Sequence, residues 1–153
     1  MPYSVRIEDS KCNFSACHFL FDHNKCSRLH GHNYHVSLEI SGQLSEEFFV
    51  VDFFDLKTLL LKITDTLDHH ILLPEKSPNI KISNLKNGQI RVDMQDKYFS
   101  FPKSDCVFLP LQATTAELLS KYIYDKIKEK YLDYVVLVEV SESQSSVAKY
   151  GET

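Results

Sequence analysis

The chain has 153 residues, 43% of them hydrophobic, which is the size of one domain with apolar content enough for a core. Its 17 lysines and arginines stand against 21 aspartates and glutamates, a net charge of -4. That balance lacks the basic surplus of a general nucleic-acid or membrane-surface binder, while leaving room for a local basic cluster on an anionic ligand. No apolar stretch approaches the roughly 20 residues of a membrane span. The opening MPYSVRIED has no charged segment followed by an apolar run, so no secretory leader is expected. The four cysteines, Cys12, Cys17, Cys26 and Cys106, form no CxxC pair. A reduced, cytoplasmic domain is expected.

Residues Tyr3–Ile7 alternate apolar and polar, as a half-buried strand does. Residues 14–20 repeat the pattern, with Phe14, Ala16, His18 and Leu20 on one face. A polar loop, DHNKCSR, follows. From His30 the alternation resumes: His30, His32, Tyr34, Val36, Leu38 and Ile40 share a face, and Gly31, Asn33, His35, Ser37 and Glu39 share the other. Asp52 is placed to cap a helix, with Asp55 in its first turn and Leu56, Leu60, Ile63 and Leu67 along one side. Asp68, His69 and His70 follow at once.

Residues 71–111 look like an insertion within a single domain of residues 1–153. Asn87-Gly88 marks a hairpin turn there, and KYFSF adds a further strand. A second helix is expected from Thr114, with TTAE as a capping box and Leu118, Tyr122, Ile123 and Ile127 as its apolar stripe. A valine-rich strand at residues 134–140 and a partner at 147–150 close the chain. The order of elements predicts an α+β fold built on antiparallel sheet.

Five of the seven histidines lie between His18 and His35. Two of them at i and i+2 on one strand face form a chelate, and His18 on the preceding strand supplies a third imidazole. Three neutral imidazoles on Zn²⁺ leave one position open, the pattern of a catalytic site. Gly31 removes bulk between the two strand ligands. His35 points to the other face and His23 sits in the loop, so both are bystanders. Cys26, four residues before His30, has two readings: a fourth ligand closing the site, or a thiolate kept for proton abstraction. Lys25 and Arg28 favour a thiolate either way. The other cysteines read as small hydrophobes. Asp68 beside His69 suits general acid or base work, although a helix C-terminus also favours a histidine through its dipole. Glu142 keeps the parity of Val136, Val138 and Val140. It fits either a carboxylate that grips a guanidine-like N–H pair or a rim carboxylate in water.

Taken in order, C-x₃-H-G-H (Cys26, His30, Gly31, His32), FSACH ending in His18, VDFFDLK, LDHHILL, a T-T-x-E helix start and VEVSES resemble the 6-pyruvoyl-tetrahydropterin synthase and 6-carboxy-tetrahydropterin synthase family. The resemblance spans nearly the whole chain apart from residues 71–111. It implies the tunnelling fold, a four-stranded antiparallel sheet with two helices on one face, here with an inserted β-hairpin. It implies trimeric barrels stacked into a hexamer, active sites formed between subunits, and 7,8-dihydroneopterin triphosphate as substrate. It implies Zn²⁺ on His18, His30 and His32, a catalytic thiol at Cys26, an Asp-His pair at Asp68 and His69, a pterin-anchoring carboxylate at Glu142 and a pocket threonine at Thr115. The short cysteine-to-HGH spacing resembles the 6-carboxy branch of 7-deazapurine biosynthesis, the route to queuosine or archaeosine. The animal-type pyruvoyl synthases place the cysteine farther away, and a third branch replaces it with glutamate.

Overall fold

A computed structural model describes residues 1–153 and divides the chain into two compact units. The first unit comprises Met1–Phe14, Asn33–Thr66 and Ala116–Thr153, and the second Ser15–His32 and Leu67–Thr115.

The first unit is the expected α+β arrangement. Its strands are β1 (Tyr3–Ile7), the part of β3 (His30–Gly42) from Asn33 onward, β9 (Val135–Ser143) and β10 (Ser146–Gly151). β3 pairs antiparallel with β1 on one edge and with β9 on the other, and β9 pairs with β10. The register sets Val36 opposite Val140, Leu38 opposite Val138 and Ile40 opposite Val136. All six side chains are buried. Each such side chain contributes about 1.5–3 kcal/mol when taken out of water. The two helices, α1 (Phe53–Asp65) and α2 (Ala116–Lys128), supply the matching apolar stripes. α2 lies against β9 and β10, and α1 lies against α2.

The helix ends show one agreement and one correction. Asp52 caps α1 as expected, its carboxylate accepting the Asp55 N–H at 3.0 Å. α2 starts at Ala116, one residue later than a cap at Thr114 would allow. The buried stripe of α2 runs through Leu119, Ile123 and Ile127 at i, i+4 and i+8, while Leu118 and Tyr122 are only half-buried.

The second unit has parallel strands that the antiparallel expectation did not include. β2 (Phe14–His18) pairs parallel with β4 (His70–Pro74), and β4 pairs parallel with β8 (Cys106–Leu109). Strands joined through long connections lie parallel without any local turn to announce them. Residues 71–111 are therefore more than a hairpin. β5 (Ile80–Asn84), β6 (Gln89–Met94) and β7 (Lys97–Pro102) form a three-stranded antiparallel sheet. Asn87 and Gly88, at φ 60° and 72°, make the tight turn between β5 and β6. Ile90, Val92, Met94 and Phe101 from this sheet pack with Phe19 and Leu73, flanked by Ile71, Cys106 and Phe108. The sheet thus covers one face of the parallel strands with a core of its own. No helix is long and apolar enough to cross a membrane.

On the polar face of the first unit's sheet, Glu139 accepts hydrogen bonds from Arg6 at 2.7 Å, Lys149 at 2.9 Å and Ser37 at 2.9 Å. These donors, led by Arg6, hold its carboxyl down at about 2. A depressed carboxyl stabilises the fold above its unfolded value and loses that contribution as pH falls toward the folded one. Glu139→Gln should therefore cost about 2 kcal/mol at neutral pH. It should also flatten the acid limb of the unfolding curve between roughly pH 5 and pH 2. Chemical denaturation across that pH range, on wild type and variant, measures both.

Candidate active site

β2 and the start of β3 bring three imidazoles together. His18 ends β2, and His30 and His32 open β3 on the face that continues into the buried Tyr34. The ring centroids lie 4.7 Å apart for His18 and His30, 5.2 Å for His18 and His32, and 4.9 Å for His30 and His32. Their ligand nitrogens all fall within 4.8 Å of one another.

Backbone carbonyls set two of the rings. His18 Nδ1 donates to the Thr114 carbonyl at 2.8 Å, with Thr114 Oγ1 at 3.2 Å. His30 Nδ1 donates to the Arg28 carbonyl at 2.7 Å. A ring that donates from Nδ1 keeps its lone pair on Nε2, so both rings are oriented and tautomerically prepared for a metal. The Nε2 atoms of His18 and His32 are shielded from solvent. Burial, with added repulsion from the His30 and His32 rings, pushes the His18 imidazole down to about 4 against the opposing pull of the Thr114 carbonyl. His18 is therefore neutral near pH 7, the form that ligates. Nitrogen donors, fixed tautomers and convergence together suit a divalent ion. Cys26 is not among the converging donors.

Gly31 also lies close to β2. A Cβ there would lie 3.1 Å from the Ala16 carbonyl oxygen, a tight contact that β2 and β3 would have to relax by a few tenths of an ångström to accept.

Asp68 and His69 form a pair. Asp68 Oδ2 accepts from His69 Nδ1 at 2.8 Å, and Asp68 Oδ1 accepts the Ser15 N–H at 2.9 Å. The Ser15 N–H and then the His69 ring hold the Asp68 carboxyl below the usual carboxylate range. The His69 backbone is itself tied to Ser15, its N–H donating to the Ser15 carbonyl at 2.6 Å, and it sits at φ 60°. That conformation is uncommon for a residue with a Cβ. The exposed His69 ring leaves Nε2 open to a substrate. His70 is placed differently, with Nδ1 on the Asp68 backbone carbonyl at 2.7 Å.

The remaining residues are distributed as follows. Cys26 is half-buried in a single 3₁₀ turn, Lys25–Ser27, in the loop between β2 and β3. Lys25 and Arg28 are exposed beside it. Burial raises the thiols of Cys12 and Cys17 and pushes Cys106 up to about 11, which leaves all three protonated. Thr115 immediately precedes α2 and is half-buried. Glu142 lies near the end of β9, half-buried, after the buried Val136, Val138 and Val140. His23 and His35 lie outside the imidazole group.

A model of the 6-pyruvoyl tetrahydropterin synthase family matches residues 9–153. The chain belongs to that family. It is 33% identical over 133 residues to a protein of Methanocaldococcus jannaschii called a putative 6-carboxy-5,6,7,8-tetrahydropterin synthase, covering 84% of this chain and 81% of that one. It is 30% identical over 149 residues to the 6-carboxy-5,6,7,8-tetrahydropterin synthase of Haemophilus influenzae, covering 92% and 94%. Among solved structures, a Plasmodium vivax 6-pyruvoyltetrahydropterin synthase superposes with a TM-score of 0.91 at 31% identity. That match covers 100% of this chain and 99% of the other. The solved Plasmodium forms include one in which a catalytic glutamate is replaced by alanine and one in which it is replaced by cysteine. The coverage takes in residues 71–111, so the extra sheet lies within the reach of the family fold.

Three supporting groups escaped sequence reasoning: Thr114, Arg28 and Ser15. Thr114 and Arg28 act through their carbonyl oxygens and Ser15 through both its N–H and its carbonyl, so residue type gave little signal. Thr114 carried one, as the first of two adjacent threonines, but it read as a helix cap.

The imidazole group should take up about one divalent ion per chain. His18→Ala and His30→Ala should each reduce bound metal at least tenfold, about 1.4 kcal/mol or more in binding free energy. Metal analysis of dialysed protein measures this.

Proposed function

We propose that the protein is a zinc-dependent 6-carboxy-5,6,7,8-tetrahydropterin synthase, a carbon–carbon lyase acting on 7,8-dihydroneopterin triphosphate in 7-deazapurine biosynthesis, the queuosine and archaeosine route. The observation that carries this is the three-imidazole group with Cys26 four residues ahead of His30 and outside the donor set. The names of the Methanocaldococcus and Haemophilus relatives point the same way.

Zinc held by His18, His30 and His32 would supply Lewis acidity to the hydroxyls of the substrate's side chain. Cys26, as thiolate, takes a proton from that side chain. His69 keeps its Nδ1–H on Asp68 and exchanges a proton at Nε2. Glu142 accepts two parallel N–H bonds from the 2-amino-pyrimidinone ring, and Thr115 lines the pterin pocket. Lys25 and Arg28 are exposed cations suited to the triphosphate. The working form is a hexamer of two stacked trimers in the cytoplasm, and the monomer is inactive. The four cysteines, all free thiols, fit that compartment.

A second reading is 6-pyruvoyl-tetrahydropterin synthase, in which triphosphate is eliminated and no carbon–carbon bond breaks. The end-to-end match to the Plasmodium vivax enzyme favours it. The products decide. Zinc-loaded protein incubated with 7,8-dihydroneopterin triphosphate should yield 6-carboxy-tetrahydropterin, acetaldehyde and triphosphate. 6-Pyruvoyl-tetrahydropterin without acetaldehyde would move it to the second reading.

Cys26→Ala should keep the metal and lose at least a hundredfold in kcat. Full activity in that variant would remove the thiol from the mechanism. Glu142→Gln should weaken pterin binding by about tenfold or more, as charge-assisted hydrogen bonds worth about 1.5–3 kcal/mol are lost. Titration with a pterin and with a ligand lacking the 2-amino group separates that effect from general damage.

A further inference from the structure

The loop between β2 and β3 joins His18 to His30 and carries Cys26. Its own bonds are few. The Leu20 N–H donates to the Cys26 carbonyl at 2.8 Å, the Ser27 N–H to the His23 carbonyl at 2.6 Å, the Ser27 hydroxyl to the Asn24 carbonyl at 2.9 Å and the Arg28 N–H to the Lys25 carbonyl at 3.2 Å, and the His30 ring donates to the Arg28 carbonyl at 2.7 Å. Apart from Cys26 and Ser27, residues 21–29 are exposed. A polar loop held only by such bonds opens easily, whereas proton transfer requires a fixed donor–acceptor geometry.

The hairpin of β6 and β7 meets this loop at three places. At the start, the Phe99 ring stacks on Phe19 with centroids 4.7 Å apart, one residue after the ligand His18. In the middle, Gln95 Nε2 donates to Asp22 Oδ1 at 3.2 Å. Beyond the thiol, Lys97 Nζ donates to the Ser27 carbonyl at 2.7 Å, one residue after Cys26. Lys97 is half-buried, and its ammonium also lies 5.5 Å from the Phe99 ring centroid. A charged donor on a partly buried carbonyl is about twice as strong as a neutral one. Gln95 takes φ 56° at the hairpin tip, a costly conformation for a residue with a Cβ. The hairpin is in turn rigid, because Val92, Met94 and Phe101 are core residues of the second unit.

We propose that the sheet of β5, β6 and β7 is a clamp for the Cys26 loop, and that Lys97 is the positioning residue that holds the thiol in place. The catalytic half of this rests on the reading of Cys26 given above. The mechanical half does not. Lys97 acts through the Ser27 carbonyl, so its loss should lower turnover through the loop and not through any contact of its own with the metal group.

The test uses the full-length, metal-loaded protein as wild type, Lys97→Met, Lys97→Arg and Gln95→Ala, with Lys81→Met as a control on the exposed face of the same sheet. Backbone hydrogen exchange over residues 20–29 and steady-state kinetics are measured on each. Lys97→Met should speed exchange in that segment about tenfold or more. It should lower kcat about tenfold, and KM should rise as well, because Lys25 and Arg28 ride on the same loop. Lys97→Arg should restore both, because it keeps a charged donor. Gln95→Ala should loosen the Asp22 end of the segment, and it tests the clamp if Lys97→Met does not fold. Unchanged exchange in Lys97→Met and Gln95→Ala overturns the clamp. Faster exchange with unchanged kcat overturns the positioning role. If wild type itself does not turn over 7,8-dihydroneopterin triphosphate, the functional reading fails, and the exchange result alone still decides whether the clamp exists.

Discussion

The period-two alternation of β3 is the constraint on which the rest depends. Side chains of a strand alternate faces, so one choice of register settles thirteen positions at once. The choice that buries Tyr34, Val36, Leu38 and Ile40 also sends His30 and His32 to the same face. A shift of one residue would expose the core set and separate both imidazoles from His18. The imidazole group is therefore placed by the hydrophobic effect acting farther along the same strand, which sets the strand's orientation.

The chemistry at the site depends on backbone groups as much as on side chains. The Thr114 and Arg28 carbonyls choose the tautomers of His18 and His30. The Ser15 N–H helps keep Asp68 ionised, and the Ser15 carbonyl accepts the backbone N–H of His69. Main-chain groups are well suited to this, because their positions are set by strand pairing and carry no rotamer freedom. The same interactions separate two adjacent histidines that composition could not tell apart. His69 meets the Asp68 carboxylate, while His70 meets only its carbonyl. A general base needs the first arrangement.

The extra sheet changes how the loop between His18 and His30 should be understood. Here a rigid hairpin with its own apolar core reaches it at Phe19, Asp22 and Ser27. Residues that look like an insertion in the sequence thus act on the segment containing Cys26. The distances that make this visible lie between positions about 70 residues apart.

The sequence by itself determined the local and periodic features: the alternation around HxH, the Asp52 cap, the Asn87-Gly88 turn, the candidate ligands and the motif order that resembles the family. Each depends on residues within a few positions of one another, where sterics and burial act directly. Only the tertiary structure decided the parallel pairing of β2, β4 and β8, the placement of the Thr114 carbonyl behind His18, the close approach of Gly31 to Ala16, and the contact of Lys97 with Ser27. These bring together segments distant in the chain, mostly through backbone atoms that every residue type possesses. Residue type therefore carried no sign of them.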